Sequence, residues 1–232
     1  MNTEALTILI VLTSHQQLGD TNESTGFWLE EFTTPYYAFL DADIQVSLVT
    51  PLGGQAPIDP RSQADDAQTD STKRFNRDQS SINALANTKK LSEVSSADFD
   101  AIFYPGGHGP LWDLVSDQNS IEIIESFWSQ GKPVSAVCHA PAVLLNARDK
   151  NGDLIIQGKN VAGFTNSEEQ AVGLTGIVPF LLEDALIANG AIYSKSEDFQ
   201  EYVVVDGLLI TGQNPASALG VANAVIELIS NK

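Results

Sequence analysis

A short apolar strand runs directly into a tight turn and a helical pattern at Val134-Ser135-Ala136-Val137-Cys138-His139-Ala140-Pro141-Ala142-Val143-Leu144-Leu145. Cys138 stands at the junction, and in parallel α/β sheets ligands bind outside the carboxyl ends of the strands. The small Ala140 and Ala142 allow a sharp bend, as in a nucleophile elbow. Pro141 can occupy the first helical turn, where its missing N–H would have no partner anyway. This stretch predicts an α/β sheet with a cysteine at its functional edge.

Strand and helix patterns alternate along the rest of the chain. Continuous apolar runs with β-branched residues are typical of strands buried on both faces of a parallel sheet. They recur at Leu6–Leu12, Ile44–Val49, Ala101–Tyr104 and Val203–Ile210. Helical patterns lie at Gly26–Leu40, Ser120–Gln130, Ala140–Ala147, Thr175–Asn189 and Ala216–Ile229. The alternation predicts an α/β fold with a doubly wound, mostly parallel sheet and helices on both faces.

The segment 55–97 is rich in Asp, Gln, Ser and Asn. A structureless loop of this length is unusual in a compact domain, so we predict helical pieces in it. These predicted pieces are Ser62–Ala67, Phe75–Ser80 and Ser81–Thr88. We expect residues 1–232 to form a single domain in which segment 55–97 is a small helical cap or lid.

Two β-hairpins are also predicted from turn residues. One covers Leu154–Val161 and turns at Gln157–Asn160. The other covers Tyr202–Ile210 and turns at Asp206-Gly207, a strong turn dipeptide.

Composition excludes several classes of function. The chain has 30 acidic and 12 basic residues, a formal charge of −18, which argues against binding nucleic acid or an anionic membrane surface. The single Cys138 excludes an internal disulfide framework and a cysteine-cluster metal site, and three histidines leave little room for a histidine-rich one. We predict no cofactor and no metal. The start of the chain has no basic residue before a short apolar run, so a cytoplasmic protein is expected.

Cys138 and His139 are candidate catalytic residues. A thiol facing a helix amino terminus is favoured as thiolate, so we expect Cys138 to be partly ionised near neutral pH and prone to oxidation to sulfenic acid. Cys138 could instead be a buried, inert cysteine, and His139 a structural histidine. Adjacency in sequence does not prove contact between the two side chains.

The stretch Ala136–Ala142 resembles the elbow of the ThiJ/PfpI superfamily, which is class I glutamine-amidotransferase-like. Further stretches resemble one branch of it, the heat-inducible chaperones with glutathione-independent glyoxalase activity. They are Thr25–Glu31, Pro51–Gly54, Tyr104–Gly109, Gly163–Glu169 and Thr211–Ser217, so the resemblance covers essentially the whole chain. It implies a flavodoxin-like fold and, commonly, a homodimer.

The resemblance also implies two catalytic carboxylates, each with a choice between neighbours. The family has a glycine five residues before the first glutamate and a proline four after it, and Gly26 and Pro35 select Glu31 over Glu30. An exposed helix acid is the alternative for Glu31. The third triad member follows Gly-Phe-Thr, and counting favours Glu169 over Glu168, although both could simply be acids at a helix start.

The glycine-rich stretch after the predicted strand at Ala101–Tyr104 is a candidate oxyanion site. Glycines there present backbone N–H groups closely, and we predict an oxyanion hole from Gly107 and the backbone N–H of His139. A sharp turn without a binding role remains the alternative. Trp28, His108 and Gly106 are predicted to line the pocket.

The resemblance implies a glyoxalase III-like lyase that converts methylglyoxal or a related 2-oxoaldehyde to a 2-hydroxy acid. Cys138 would form a hemithioacetal and His139 would move a proton between the substrate carbons. The alternatives are a stress-response holding chaperone or protein-repair factor with unfolded clients, and a weak amidase or peptidase. A true glutamine amidotransferase triad needs a later histidine, and none follows His139.

Overall fold

The computed structural model describes residues 5–231. Its strands are β1 Thr7–Val11, β2 Gln45–Thr50, β3 Lys89–Lys90, β4 Ala101–Tyr104, β5 Val134–Val137, β6 Asn160–Val161, β7 Ile192–Tyr193, β8 Val203–Asp206 and β9 Leu209–Gly212. Its α-helices are α1 Leu29–Asp41, α2 Asp70–Phe75, α3 Gln79–Ala86, α4 Gln118–Ser129, α5 Asn166–Ala171, α6 Leu182–Ala188 and α7 Ala218–Ser230.

Seven strands form one sheet in the order β3-β2-β1-β4-β5-β9-β8. Every neighbouring pair is parallel except β8 and β9, which form the predicted hairpin through Gly207 at a φ of 64°. The central order β2-β1-β4-β5-β9 is that of flavodoxin-like folds, in which the chain reverses direction across the sheet beside the first strand. The predicted α/β fold is therefore confirmed.

The sheet is covered by helices because its central strands are apolar on both faces. The residues of β4 and β5 are all buried. Helices α1 and α7 pack on each other, α7 also packs on β5 and β9, and α4 packs on β4 and β5 from the other face. Because these strands run in parallel, the carboxyl ends of β1, β4 and β5 lie at one edge of the sheet, where the candidate site lies.

The polar segment 55–97 is helical in short pieces. Two 3₁₀ turns, Pro60–Gln63 and Asp65–Ala67, match the first predicted piece, and α3 matches the last. The middle piece is wrong, because α2 ends at Phe75 and Asp78 then caps α3 through its side chain. The N-cap of α2 is Thr69, which forms a capping box with Thr72.

Three other local predictions are corrected. The Leu154–Val161 hairpin does not form, because Leu154 bridges to Arg148, residues 155–158 make a turn, and β6 pairs in parallel with the distant β7. The helix predicted over Thr175–Asn189 begins only at Leu182, since Pro179 disfavours helical backbone at the residue before it. The helix predicted over Ala140–Ala147 is a 3₁₀ helix, Ala140–Leu144.

Within residues 5–231 the helices are all too short or too polar to cross a lipid bilayer. The first four residues, on which part of the predicted cytoplasmic location depends, lie outside the described part of the chain.

Candidate active site

Cys138 directly follows β5 at the carboxyl edge of the sheet, on a tight turn between strand and 3₁₀ helix. Its φ is 61°, a left-handed value that residues with a side chain rarely adopt and that marks strained functional turns. The Cys138 N–H donates to the carbonyl of Gly212 at 2.9 Å, and the Cys138 carbonyl accepts from the N–H of Phe164 at 2.8 Å. These two bonds hold the strained turn in place.

The thiol contacts the side chain of its sequence neighbour. Sγ of Cys138 lies 3.3 Å from Nδ1 of His139, and the other ring nitrogen, Nε2, lies 2.7 Å from Oε2 of Glu169. The second carboxylate oxygen, Oε1, lies 2.8 Å from Nε2 of His108. All four side chains are buried. The arrangement is therefore a cysteine–histidine–glutamate line with a second histidine on the glutamate.

Glu168 and Glu169 are neighbours on α5 but have different surroundings. Glu168 forms a capping box with Thr165, whose N–H donates to Oε2 at 2.9 Å. Its Oε1 accepts three bonds, from the Phe199 N–H at 2.7 Å, from Gln213 Nε2 at 3.1 Å and from Asn214 Nδ2 at 2.8 Å. Glu168 is thus occupied in holding the surrounding loops, and the structure brings Glu169 to His139.

Glu31 lies in the first turn of α1, is fully buried, and lines the same cavity as Cys138. Glu30 is partly exposed and is not among the cavity-lining residues. Oε2 of Glu31 accepts the N–H of Gly106 at 2.8 Å, whereas its buried Oε1 forms no hydrogen bond of regular geometry with any described residue. An unpartnered buried oxygen beside a thiol is costly and is typical of functional sites.

Burial governs the ionisation of the thiol and of the first carboxyl. Burial raises the pKa of Glu31 well above its usual value, against the lowering effect of the Cys138 contact and the Gly106 N–H. Burial, followed by the charge of Glu31, raises the pKa of Cys138 well above that of a free thiol. This burial opposes the partial ionisation near neutral pH, and the ease of oxidation, that the sequence predicts for Cys138.

The second carboxylate behaves in the opposite way. Burial alone would raise the pKa of Glu169, but hydrogen bonds from His108 and His139 lower it far below its usual value. Burial and the neighbouring His139 lower the pKa of His108 to about 4. Glu169 is therefore a carboxylate and His108 a neutral ring at neutral pH.

Gly106 and Gly107 pass close to the thiol and to α1. A Cβ on Gly106 would lie 2.5 Å from Oε2 of Glu31 and 2.8 Å from Cβ of Cys138. Gly107 has a φ of 92°, and its N–H faces the Cys138 sulfur, where it lowers the pKa of the thiol. The carbonyl of Gly106 accepts the N–H of Trp28 at 3.0 Å. Only glycine fits at either position.

The cavity above the thiol has a volume of about 210 Å³. It is lined by Trp28, Glu31, Arg61, Gly107, His108, Cys138, His139, Phe164, Val172, Phe199 and Pro215. The predicted lining residues Trp28 and His108 are among them. Gly106 is not, because its N–H and carbonyl are directed at Glu31 and Trp28.

One group of side chains in the described chain could hold a metal ion. The donor atoms of His108, His139 and Glu169 all lie within 4.8 Å of one another. Each oxygen of Glu169 is already at hydrogen-bond distance from one histidine nitrogen, so the present arrangement is that of two charge-assisted hydrogen bonds.

Comparison with known proteins shows the family of this chain. The sequence matches the DJ-1/PfpI family over residues 24–228. The chain belongs to this family. The superfamily resemblance drawn from the elbow is thereby confirmed.

Among DJ-1/PfpI relatives, glyoxalase 3 of Candida albicans is 31% identical over 227 residues, covering 94% of this chain and 96% of that protein. The glutathione-independent glyoxalase HSP31 of Saccharomyces cerevisiae is 31% identical over 233 residues, covering 97% of this chain and 98% of that protein.

Solved structures show the same fold along nearly the full chain. Rapid Encystment Protein 24 KDa of Francisella tularensis superposes with a TM-score of 0.92 at 40% identity, covering 97% of this chain and 99% of that one. The crystal structure of glyoxalase III from Candida albicans superposes with a TM-score of 0.89 at 30% identity, covering 96% of each chain.

Several cavity residues of this DJ-1/PfpI chain escape sequence reasoning. They are Arg61, Phe164, Val172, Phe199 and Pro215. Phe164 and Pro215 lie inside stretches that carry the family resemblance, so a signal existed for them. Arg61 follows the buried Asp59 in the polar cap, and nothing in the local pattern relates it to a cysteine 77 positions away.

Proposed function

We propose that this chain is a glutathione-independent glyoxalase of the glyoxalase III type, a lyase that converts methylglyoxal or related 2-oxoaldehydes to 2-hydroxy acids. The observation that carries the proposal is the 3.3 Å contact between Sγ of Cys138 and Nδ1 of His139 inside a small, largely apolar cavity. The names of the Candida albicans and Saccharomyces cerevisiae relatives support the substrate class.

The first step is addition of sulfur to the aldehyde. Because burial disfavours the free thiolate, the proton must leave Cys138 as sulfur attacks. Nδ1 of His139 is the base within reach, and Glu169 stabilises the imidazolium through the Nε2–H bond. The imidazolium then passes this proton to the former aldehyde oxygen, so the product is a neutral hemithioacetal between Cys138 and the aldehyde carbon, and His139 is again a base.

The second step moves hydrogen between the two substrate carbons. His139 removes the proton from the former aldehyde carbon, which gives an enediol, and a proton is returned to the neighbouring carbon. The carbon bound to sulfur is then a thioester carbonyl. Water hydrolyses this thioester, which releases the 2-hydroxy acid and regenerates the thiol. The sum is one 2-oxoaldehyde and one water converted to one 2-hydroxy acid.

Glu31 is the proposed proton donor and acceptor for the substrate oxygens. Its raised pKa favours the protonated carboxyl, and its unpartnered Oε1 is available to donate or accept a hydrogen bond. The N–H of Gly107 faces the thiol, which supports a role together with the N–H of His139 in binding the oxyanion that forms when sulfur adds.

The wider organisation remains part of the proposal. The proposed protein is a single domain with segment 55–97 as a cap, acts as a cytoplasmic homodimer, and needs neither metal nor cofactor. Arg61, from this segment, reaches the cavity, which supports a cap over the site.

A holding chaperone or protein-repair factor is the second candidate. Val172 and Phe199 lie at the cavity and are exposed to 40% and 46%, which gives a small apolar rim that a client could contact. Weak amidase or peptidase activity of the same cysteine is the third.

One set of assays separates these functions. The purified protein is incubated in parallel with methylglyoxal, with glutamine and with a heat-denaturing client protein, without glutathione or added metal. We expect lactate from the first incubation and no glutamate from the second. In the third, we expect the client to aggregate to the same extent with the unmodified protein and with Cys138→Ala. Suppressed aggregation without lactate would favour the chaperone.

A further inference from the structure

Arg61 links the cap segment, residues 55–97, to His108 and so to the cysteine–histidine–glutamate group of the site. It lies in the 3₁₀ turn Pro60–Gln63, and its Nε and Nη2 form a two-pronged ion pair with the buried carboxylate of Asp59. Asp59 is fixed in turn by Thr25, whose Oγ1 donates to Oδ2 at 2.9 Å. The same Nη2 of Arg61 lies 3.3 Å from Nδ1 of His108. The guanidinium is thus anchored on one side and in contact with a histidine on the other.

The contact between Arg61 and His108 allows only one assignment of donor and acceptor. A guanidinium has only N–H donors, so Nδ1 of His108 must accept. An accepting Nδ1 carries no proton, and the proton of the neutral ring is therefore on Nε2. Nε2–H of His108 then donates to Oε1 of Glu169 at 2.8 Å.

The assignment continues to the nucleophile. An ionised carboxylate only accepts, so Nε2 of His139, 2.7 Å from Oε2 of Glu169, also carries a proton. In the neutral ring the bare nitrogen of His139 is then Nδ1, which faces Sγ of Cys138 at 3.3 Å. Were His108 to carry its proton on Nδ1 instead, Glu169 would lose one of its two donors and the orientation that they enforce.

We propose that Arg61 is a positioning residue that fixes the tautomer of His108 and, through Glu169, keeps Nδ1 of His139 free to accept the thiol proton. His108 and Glu169 also orient the ring of His139, and Arg61 holds His108 from outside the group formed by Cys138, His139 and Glu169. The consequence for turnover rests on the proposed function, whereas the tautomer assignment does not.

Histidine NMR tests the assignment directly. The chain has three histidines, so labelling with ¹⁵N-histidine gives three ring systems, and a nitrogen that bears a proton resonates far from one that does not. In the unmodified protein near neutral pH, we expect His108 to carry a proton on Nε2 and none on Nδ1, and His139 to carry a proton on Nε2. A proton on Nδ1 of His108, in either a neutral or a charged ring, overturns the proposal whatever any variant does.

Variants test the consequence. Because Arg61→Met alone leaves Asp59 as an unpaired buried carboxylate, the Asp59→Asn/Arg61→Met double variant is made beside it. We expect His108 to lose its single tautomer in both, and turnover to fall by about tenfold or more with little change in KM. The matched control is Arg74→Met, which removes another cap arginine paired through two bonds with an aspartate, Asp41.

The outcomes separate the two proposals. If the unmodified protein makes no lactate but shows the expected tautomers, the proposed function is wrong and the assignment stands. If the Asp59→Asn/Arg61→Met double variant is folded and keeps both the His108 tautomer and full turnover, Arg61 has no positioning role. A fall in turnover in Arg74→Met equal to that in the Arg61 variants would likewise contradict the proposal.

Discussion

Sγ of Cys138 and Nδ1 of His139 lie 3.3 Å apart although the two residues are neighbours in sequence. Neighbouring side chains ordinarily point apart, and the left-handed backbone of Cys138 brings them together. The strain of this turn is offset by its bonds to Gly212 and Phe164. The contact places a base beside a thiol whose pKa is raised by burial, so the base can take the proton as sulfur attacks.

Replacing Glu31 by glutamine should change thiol reactivity and turnover in opposite directions. At a pH high enough to ionise Glu31, its charge raises the pKa of Cys138, and glutamine removes that charge, so alkylation at that pH should become roughly tenfold faster. Turnover of methylglyoxal should fall, since the exchangeable proton is lost. The measurement is the rate of alkylation against pH beside lactate release.

Glu30→Gln is the matched control, because Glu30 is the adjacent carboxyl on α1 and is not among the cavity-lining residues. We expect alkylation and turnover close to those of the unmodified protein. Equal effects of the two substitutions would show that the influence of Glu31 is not local.

Substitution of the two neighbouring glutamates of α5 should have different effects, on turnover for Glu169 and on the free energy of unfolding for Glu168. Glu169→Gln presents an amide N–H₂ to one of two histidine N–H groups, so one histidine must change its tautomer and turnover should fall about 100-fold or more. Glu168→Gln leaves the histidines alone but disrupts its buried bonds, including that to Asn214, so unfolding free energy should fall by about 2–3 kcal/mol. Urea unfolding and steady-state kinetics on both variants decide this, and loss of activity without loss of stability in Glu168→Gln would be inconsistent with the structure.

Gly106→Ala should damage both fold and activity. The added methyl group would overlap Oε2 of Glu31 and Cβ of Cys138, and overpacking of this kind costs about 1–3 kcal/mol. Gly176→Ala is the control, because its Cβ would meet no heavy atom within 4 Å, and we expect its unfolding free energy to change by no more than about 0.5 kcal/mol. Thermal unfolding measures both, and a fully stable, fully active Gly106→Ala protein would contradict the described packing.

Acid should destabilise the protein partly through His108. Its pKa is lowered from 6.5 to about 4 in the folded state, so the unfolded chain binds more protons between these values. Stability should therefore fall as pH falls from about 6.5 to about 4, and this part of the loss should be absent in His108→Gln. Urea unfolding of both proteins across this range is the measurement. An identical pH dependence would show that the pKa of His108 is not lowered by folding.

The fold was predictable because its signals are local. The apolar runs of β1, β4 and β5 and the turn at Cys138 each predict buried parallel strands and a loop at their carboxyl edge. The hairpin predicted at Leu154–Val161 is wrong because its pairing is not local. The strand that pairs with β6 comes from residues 192–193, and no local pattern indicates it.

The site was predictable only in part. Periodicity could not choose between Glu30 and Glu31 or between Glu168 and Glu169, and the family resemblance supplied the choice in both cases. Neither periodicity nor the family resemblance indicated Arg61, because its proposed role depends on the tertiary contact between the cap and His108.

Lactate release by Cys138→Ala is the measurement that bears most directly on the proposed chemistry. Purified unmodified protein and this variant, both shown to be folded by circular dichroism, are given methylglyoxal without glutathione or added metal. We expect steady lactate formation by the unmodified protein and none above background by Cys138→Ala, because no other thiol exists in the chain. Lactate formation by Cys138→Ala at the unmodified rate, or none by the unmodified protein, would contradict the account.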